Sequence, residues 1–161
     1  MFKVIVILVI YISASFADTF HFKELRYSNA IDKAIEIEGQ IRFMKNGLKI
    51  FYPQGLKSIK YQNDIIVYKE DNQETELGIG QQRQLASYFD ILILLHQGNE
   101  SAYKDMFEVS KRDLIVTLEP TGMLEDYIKK IETFREKEML KEVKIFLQND
   151  DYIVITIYDE I

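Results

Sequence analysis

The sequence predicts an α+β protein in which an antiparallel sheet packs against one apolar helix. In residues 36–68, apolar and polar side chains alternate in short runs between polar turns, which is the pattern of half-buried strands. In residues 84–96, apolar side chains instead recur at intervals of three and four, which is typical of a helix. The two patterns together predict a sheet with one apolar face and a helix able to cover it.

Residues 36–68 are predicted to form a meander of antiparallel strands. Lys45-Asn46-Gly47 predicts a turn after the first strand, because Asn and Gly tolerate positive φ. Further strands are predicted over residues 48–53, 58–61 and 64–68, with a second polar turn at 62–64. The apolar residues of the first strand fall on one side: Ile35, Ile37, Ile41 and Phe43. What this apolar side covers is the functional question.

The predicted helix 84–96 is apolar around most of its circumference, and Gly98 lies where a helix ends. Such a helix is usually buried, or packs against something other than its own sheet. Asn99 is a candidate N-cap for a short second helix through residue 106.

The structure of the other segments is predicted from the same two patterns, alternation for strands and spacing of three and four for helices. Residues 20–34 are predicted as a short helix across the sheet, because Phe22, Leu25 and Ile31 loosely follow a helical stripe. Strands are predicted over residues 75–79, 112–119, 141–147 and 152–158, with a break at 120–122. Residues 123–142 are ambiguous: their periodicity predicts a helix, and the alternative is a strand over 127–134 with a loop at 135–138.

Residues 1–17 predict a secretory signal peptide that is cleaved after Ala17. Lys3 precedes an apolar run over residues 4–12, and small residues follow at the positions that a signal peptidase reads. The run is shorter than the ~20 residues of a spanning helix. We therefore expect one domain, residues 18–161, exported across the inner membrane.

Composition excludes several classes of partner. The formal net charge is −6 and there is no long basic run, which argues against nucleic acid and against electrostatic docking on an anionic membrane. The chain contains no cysteine, so we expect no disulfides and no lipid attached to the mature N-terminus.

The sequence offers few candidate catalytic groups. The two histidines, His21 and His96, have no partner at metal-ligand spacing, and no serine lies in a Gly-x-Ser-x-Gly motif. We therefore predict no enzyme activity, no cofactor and no metal. The chain has 10 Tyr and 10 Phe; they predict either an ordinary core or a concave sheet face that holds a hydrophobic guest under the helix.

The chain resembles the LolA-type periplasmic carriers of outer-membrane lipoproteins. The resemblance covers most of residues 18–161 and consists of short motifs: 39–43, 48–53, the 58–64 step into the next strand, the apolar helix, residues 114–120, and the paired C-terminal strands. It implies a curved, incompletely closed antiparallel β-barrel with a helical lid. It also implies that residues 123–142 are mostly strand with a hairpin loop.

The resemblance further implies a function, a location and partners. The protein would bind the acyl chains of lipoproteins in a hydrophobic cavity and carry them, as a monomer, through the periplasm. An inner-membrane lipoprotein-releasing complex would supply the cargo and an outer-membrane acceptor would receive it. The alternative is a LolA-like protein that binds another envelope lipid or a protein partner. The predicted cavity contacts are Ile41, Phe43, Leu48, Ile50 and Tyr52 on the sheet and Leu85, Phe89 and Leu92 on the helix.

The sequence departs from this family at the first turn of the meander. Family members have an Arg-Pro pair there, whose Arg hydrogen-bonds the lid when it is closed. Here the nearest cation is Lys45, which lacks the planar donor fork of Arg, and Ile50 replaces a common Trp on the next strand.

Overall fold

The computed structural model describes residues 18–53, 57–71, 73–78, 80 and 82–160. The predicted signal peptide, residues 1–17, lies outside this part of the chain. The strands are β1 (Thr19–Ser28), β2 (Lys33–Met44), β3 (Gly47–Tyr52), β4 (Lys57–Gln62), β5 (Ile65–Glu70), β6 (Gln73–Leu77), β7 (Phe107–Arg112), β8 (Ile115–Pro120), β9 (Ile128–Glu136), β10 (Met139–Leu147) and β11 (Tyr152–Glu160). The helices are α1 (Arg83–Gln97), α2 (Glu100–Tyr103) and a 3-10 helix at Gly122–Asp126.

All these strands belong to one antiparallel sheet. Their order is β6-β5-β4-β3-β2-β1-β11-β10-β9-β8-β7. Within the described residues no pairing joins β6 to β7, so both remain edges and the sheet is not closed. The predicted open antiparallel architecture with a helix is confirmed.

The sheet curls around α1. The helix contacts both β3 and β10, which lie four strands apart in the sheet. Four strand spacings in a flat sheet would span about 19 Å, whereas a helix with its side chains is only about 10–12 Å wide. One helix can reach both strands because the sheet is concave on that side. We call this side the concave face.

The meander and α1 form as the sequence predicted. The physical reason for the glycine at the 45–47 turn differs from the predicted one. Asn63 and Asp64 have φ of 51° and 61°, so the 62–64 turn forms as expected. The 45–47 turn also forms, but no residue in it has positive φ. Gly47 is instead favoured by close packing, because a Cβ there would collide with the backbone carbonyl oxygen of Tyr61.

The helix predicted over residues 20–34 is wrong. These residues form β1, a turn and the start of β2, and β1 pairs with both β2 and β11. Phe20, Phe22 and Glu24 are buried on the concave face, two residues apart as a strand requires. The non-local pairing with β11, at the end of the chain, outweighs the weak helical stripe.

The strand predicted over residues 112–119 is also wrong in its bounds. Residues 115–119 lie on the strand β8 as predicted, but Arg112 is the last residue of β7 and a two-residue turn precedes β8. Asp113 adopts positive φ of 55° in the turn, and Leu114 is 64% exposed there. Of the apolar residues that predicted this strand, Val116 and Leu118 lie on β8 and Leu114 lies in the turn before it.

Residues 123–142 follow the strand alternative. After the short 3-10 helix the chain forms β9 and β10, joined at Lys137 and Glu138 with φ of 47° and 69°. Ile131 and Thr133 are buried two residues apart. The helical spacing of the apolar residues is therefore overridden by pairing of β9 with its neighbours β8 and β10.

Candidate hydrophobic ligand site

The predicted site residues come together between the concave face and α1. Ile41 pairs with Ile50, and Phe43 with Leu48, across β2 and β3. These side chains, with Phe89 and Leu92 of α1, are between 0% and 5% exposed and belong to one hydrophobic cluster. Tyr52 and Leu85 are half-buried at its margin. Their role as ligand contacts stays a prediction, because in this structure they contact one another.

Part of the concave face is not covered by α1. Along β1, Phe20 lies 5.7 Å from the ring of His96, near the end of α1, and Glu24 accepts a hydrogen bond from Tyr88 nearer its start. The helix therefore runs opposite to β1, and Arg26, which follows Glu24 on the same face of β1, lies towards the start of α1. Arg26 pairs with Ile35 on one side and Ile153 on the other.

We call this uncovered region the mouth; it comprises Arg26, Ile35, Ile37, Tyr52 and Ile153. Ile35 belongs to the predicted apolar side of β2, yet its side chain is 62% exposed. Ile37 and Ile153 are half-buried. The mouth is therefore an apolar surface open to solvent and continuous with the buried cluster under α1.

The C-terminal end of α1 is held in three ways. Gly98 adopts a left-handed conformation with φ of 67°, and its N–H donates to the carbonyl of Leu95. Arg135 of β9 donates to the Leu95 and His96 carbonyls and to that of Glu138. The His96 ring stacks on Phe43 with centroids 3.7 Å apart.

Arg135 was missed by sequence reasoning, which considered only Lys45 as a cation that could hold the helix. Lys45 is exposed in the turn after β2, while Arg135 reaches the helix from a strand about 40 positions along the chain. The only sequence signal was an Arg beside a predicted hairpin loop. Its contact depends on how β9 curves towards α1.

His96 is one of the residues that hold the C-terminal end of α1, and its ring is packed against Phe43. Its Nε2 lies 3.6 Å from Oδ2 of Asp18. Burial lowers the pKa of His96, Asp18 opposes this, and the positive charge of Arg135 adds to the lowering. The imidazole is therefore largely neutral at pH 7 and packs on Phe43 as part of the contacts at the end of α1.

The first half and the middle of α1 are joined to the sheet by two side-chain hydrogen bonds, whereas the first turn lacks a side-chain cap among the described residues. Gln82 occupies the N-cap without a side-chain hydrogen bond, and the first turn has no acidic residue. Tyr61 of β4 donates to Asp90 at 2.7 Å, and burial followed by this hydrogen bond raises the pKa of Tyr61. Tyr88 donates to Glu24 at 2.8 Å.

Glu24 is a buried carboxylate at the border between the covered cluster and the mouth. Its side chain is 3% exposed and forms an ion pair with Arg26 Nε. Burial, then the charge of Glu24, raises the pKa of Tyr88 well above its ordinary value. Burial alone would lower the pKa of Arg26, but the charge and hydrogen bond of Glu24 raise it. Tyr88 therefore stays protonated and Arg26 stays charged at neutral pH.

A second concavity of about 250 Å³ lies beside the C-terminal end of α1. Its lining mixes apolar and charged side chains, including Tyr103, Lys111, Val116, Arg135 and Glu138. Arg135 is already bonded to α1 there. This cleft is separate from the predicted site residues.

The described residues contain no cluster of three or more His, Cys, Asp or Glu side chains that could hold a metal ion. Among the helices of the described residues, none combines the length and apolar character needed to cross a membrane.

The geometry defines the structural class of this protein: an open, curved antiparallel sheet with a helix packed in its concavity. Comparison with protein-family models gives no match, and comparison with curated proteins gives none either. Among solved structures, the chain is similar to a LolA superfamily protein from Nitrosomonas europaea, with 7% identity and a TM-score of 0.44 over 91% of this chain and 86% of that one. A score this low supports no functional inference, so the site rests on the contacts of this chain.

Proposed function

We propose that the protein is a non-catalytic carrier that binds acyl chains between the concave face and α1. The observation that carries the proposal is the mouth, where the apolar concave face continues beyond the helix into solvent. Exposed isoleucines such as Ile35 would meet a hydrophobic guest before any rearrangement of the core.

Acyl chains must be shielded from water when they cross an aqueous compartment. Each buried CH₂ is worth about 0.8 kcal/mol, so one chain of ~16 carbons costs on the order of 12 kcal/mol to expose. In this structure Phe89 and Leu92 fill the space between helix and sheet. A chain entering from the mouth would displace the start of α1 and replace these contacts with its own methylenes, at little net cost in buried apolar area.

The finer proposal is a periplasmic carrier of lipoproteins between the inner and outer membranes. It is supported by the sequence resemblance and by the predicted signal peptide. The inner-membrane releasing complex, the outer-membrane acceptor and the monomeric state belong to this proposal. The second candidate is a carrier of another envelope lipid, which the same groove would hold.

Mass spectrometry of the protein gently released from the periplasm tests the proposal first. Co-purified acylated protein or peptide would support the lipoprotein carrier, and free lipid would favour the second candidate. An empty protein that also takes up neither lipoprotein nor lipid in vitro would contradict both, and the apolar face would then be only a core.

A matched pair of variants tests the mouth itself. Ile35→Asn replaces an exposed isoleucine of the mouth, and Ile115→Asn replaces one that is 46% exposed at the start of β8. Because both side chains are largely exposed, we expect each change to alter the free energy of unfolding by less than about 0.5 kcal/mol. Titration with a fluorescent fatty acid should show severalfold weaker binding for Ile35→Asn alone. Equal affinity of the two variants would remove the mouth from the site.

A further inference from the structure

Arg26 is a cation placed on the apolar concave face. In the strand register it lies between Ile35 of β2 and Ile153 of β11. A guanidinium between two isoleucines loses part of its hydration, so an acceptor for its remaining N–H groups would be favourable there. The conformation of this side chain is set by Glu24, which pairs with its Nε.

The Glu24 carboxylate is already engaged on both oxygens. Its Oε1 accepts from Arg26 Nε, and its Oε2 accepts from the Tyr88 hydroxyl. The two terminal nitrogens of Arg26 make no hydrogen bond to any residue in the described part of the chain, and the side chain is 48% exposed. The donor edge formed by these nitrogens therefore remains available at the mouth.

The geometry of that edge suits an oxyanion. Two parallel N–H groups of a guanidinium match the two oxygens of a carboxylate or phosphate, and such charge-assisted pairs are stronger than neutral hydrogen bonds. Tyr52 adds a hydroxyl at the margin of the mouth. Burial, then the negative charge of Glu24, raises the pKa of Tyr52, so its hydroxyl stays protonated.

We propose that Arg26 binds the anionic headgroup of the ligand, a carboxylate or a phosphate, while the attached acyl chain lies under α1. This inference rests on the proposed carrier function, in the form of the second candidate, because acyl chains held in a lipoprotein by ester and amide bonds have no anionic headgroup. It assigns the ligand an orientation. The polar end stays at the mouth and the chain points towards His96. The carrier then selects anionic amphiphiles over neutral ones of equal chain length.

The test compares three probes with the same chain: dodecanoate, dodecyl phosphate and dodecanol. Affinities are measured by calorimetry or by displacement of a fluorescent fatty acid, below the micellar concentration and at pH 8. We expect at least one anion to bind about tenfold or more tightly than the alcohol. Preference for dodecanoate indicates a carboxylate ligand, and preference for the phosphate ester indicates a phospholipid-type headgroup.

Arg26→Gln should abolish the preference and leave dodecanol affinity within about twofold of the unchanged protein, because the chain contacts remain. Lys23→Gln is the matched control, since Lys23 lies on the opposite face of β1 and pairs with Glu36 at 2.8 Å. It should keep the preference. Arg26→Gln leaves the buried Glu24 without its ion-pair partner and could unfold for that reason. The double variant Glu24→Gln/Arg26→Gln removes both charges and is then used in place of the single variant.

The outcomes separate the two proposals. Binding of none of the probes contradicts the carrier function itself. Equal binding of alcohol and anions, or a preference that survives in both Arg26 variants, overturns the headgroup assignment while leaving the carrier function in place.

Discussion

The two ends of α1 are held in different ways. At its C-terminal end, Gly98, Arg135 and the stack of His96 on Phe43 fix both backbone and side chains. At its N-terminal end no side chain of the described residues caps the helix, and the uncovered mouth lies beside it. If α1 moves to admit a ligand, we expect it to pivot about its C-terminal end and to open at its N-terminal end.

Helix electrostatics strengthens this asymmetry. The C-terminal end carries partial negative charge, which Arg135 offsets through the Leu95 and His96 carbonyls. The N-terminal end carries partial positive charge, yet its first turn contains Arg83 and no acidic residue. The first turn, which faces the mouth, therefore lacks the electrostatic support of the other end, in line with the proposed entry of a ligand there.

Removing Arg135, which holds the C-terminal end of α1, should give the largest change in stability. We expect Arg135→Met to lower the free energy of unfolding by about 3 kcal/mol, because it leaves helix-end carbonyls without their charged donor. Urea denaturation measures this, and hydrogen exchange should show lost protection at the C-terminal end of α1. Arg112→Met, at the exposed end of β7, should change stability by less than about 0.5 kcal/mol. Similar midpoints for the two variants would contradict an anchor at Arg135.

Adding a negative charge at one or the other end of α1 should change the stability of the protein in opposite directions. Gln82→Asp supplies the missing N-cap and favours the helix dipole, and we expect it to stabilise the protein by about 0.5–1 kcal/mol. Gln97→Asp places the same charge at the other end and should destabilise it by about 0.3–1 kcal/mol. In stopped-flow uptake of a fluorescent fatty acid, only Gln82→Asp should slow binding. Slower uptake with Gln97→Asp instead would place the opening at the C-terminal end.

The smallest effect should come from the protonation of His96. Because its folded-state pKa is lowered by burial, the unfolded chain binds the proton more readily below about pH 6.5. The stabilisation is complete above that pH and decreases as the pH falls towards the folded-state pKa. Thermal melts from pH 7.5 to 5 should show a decline that is smaller in His96→Gln. An identical decline in both proteins would assign it to other groups.

Local patterns predicted much of this fold. The 62–64 turn, α1 with its glycine stop, and the short helix after Asn99 depend on near neighbours in the chain. The Asn99 side chain accepts from the Ser101 N–H as a cap should. The same local reasoning failed where partners are distant, because β1 has a weak pattern of its own and is stabilised by pairing with β11.

The sequence predicted apolar residues for the candidate site and none of its polar ones, and the role of the apolar residues as ligand contacts stays a prediction. Alternation placed Ile41, Phe43, Leu48 and Ile50 on one side, and the structure buries them together. Neither Glu24 nor Arg26 was singled out, because a charged pair in a predicted helix over 20–34 suggests a solvated surface. Only the conversion of that segment to a strand turns both residues towards the concave face.

The sequence by itself determined that β2 to β5, β10 and β11 are strands with one apolar side, where several turns fall, and that α1 is apolar enough to be buried. Those properties depend on residues within a few positions of one another, whose spacing and backbone preferences are visible in the chain. The tertiary structure alone decided that Arg135 holds the end of α1, that Glu24 is buried beside Arg26, and that Ile35 stays exposed at the mouth. These depend on the curvature of the sheet, which brings distant segments together and leaves one end of the concave face beyond the reach of the helix.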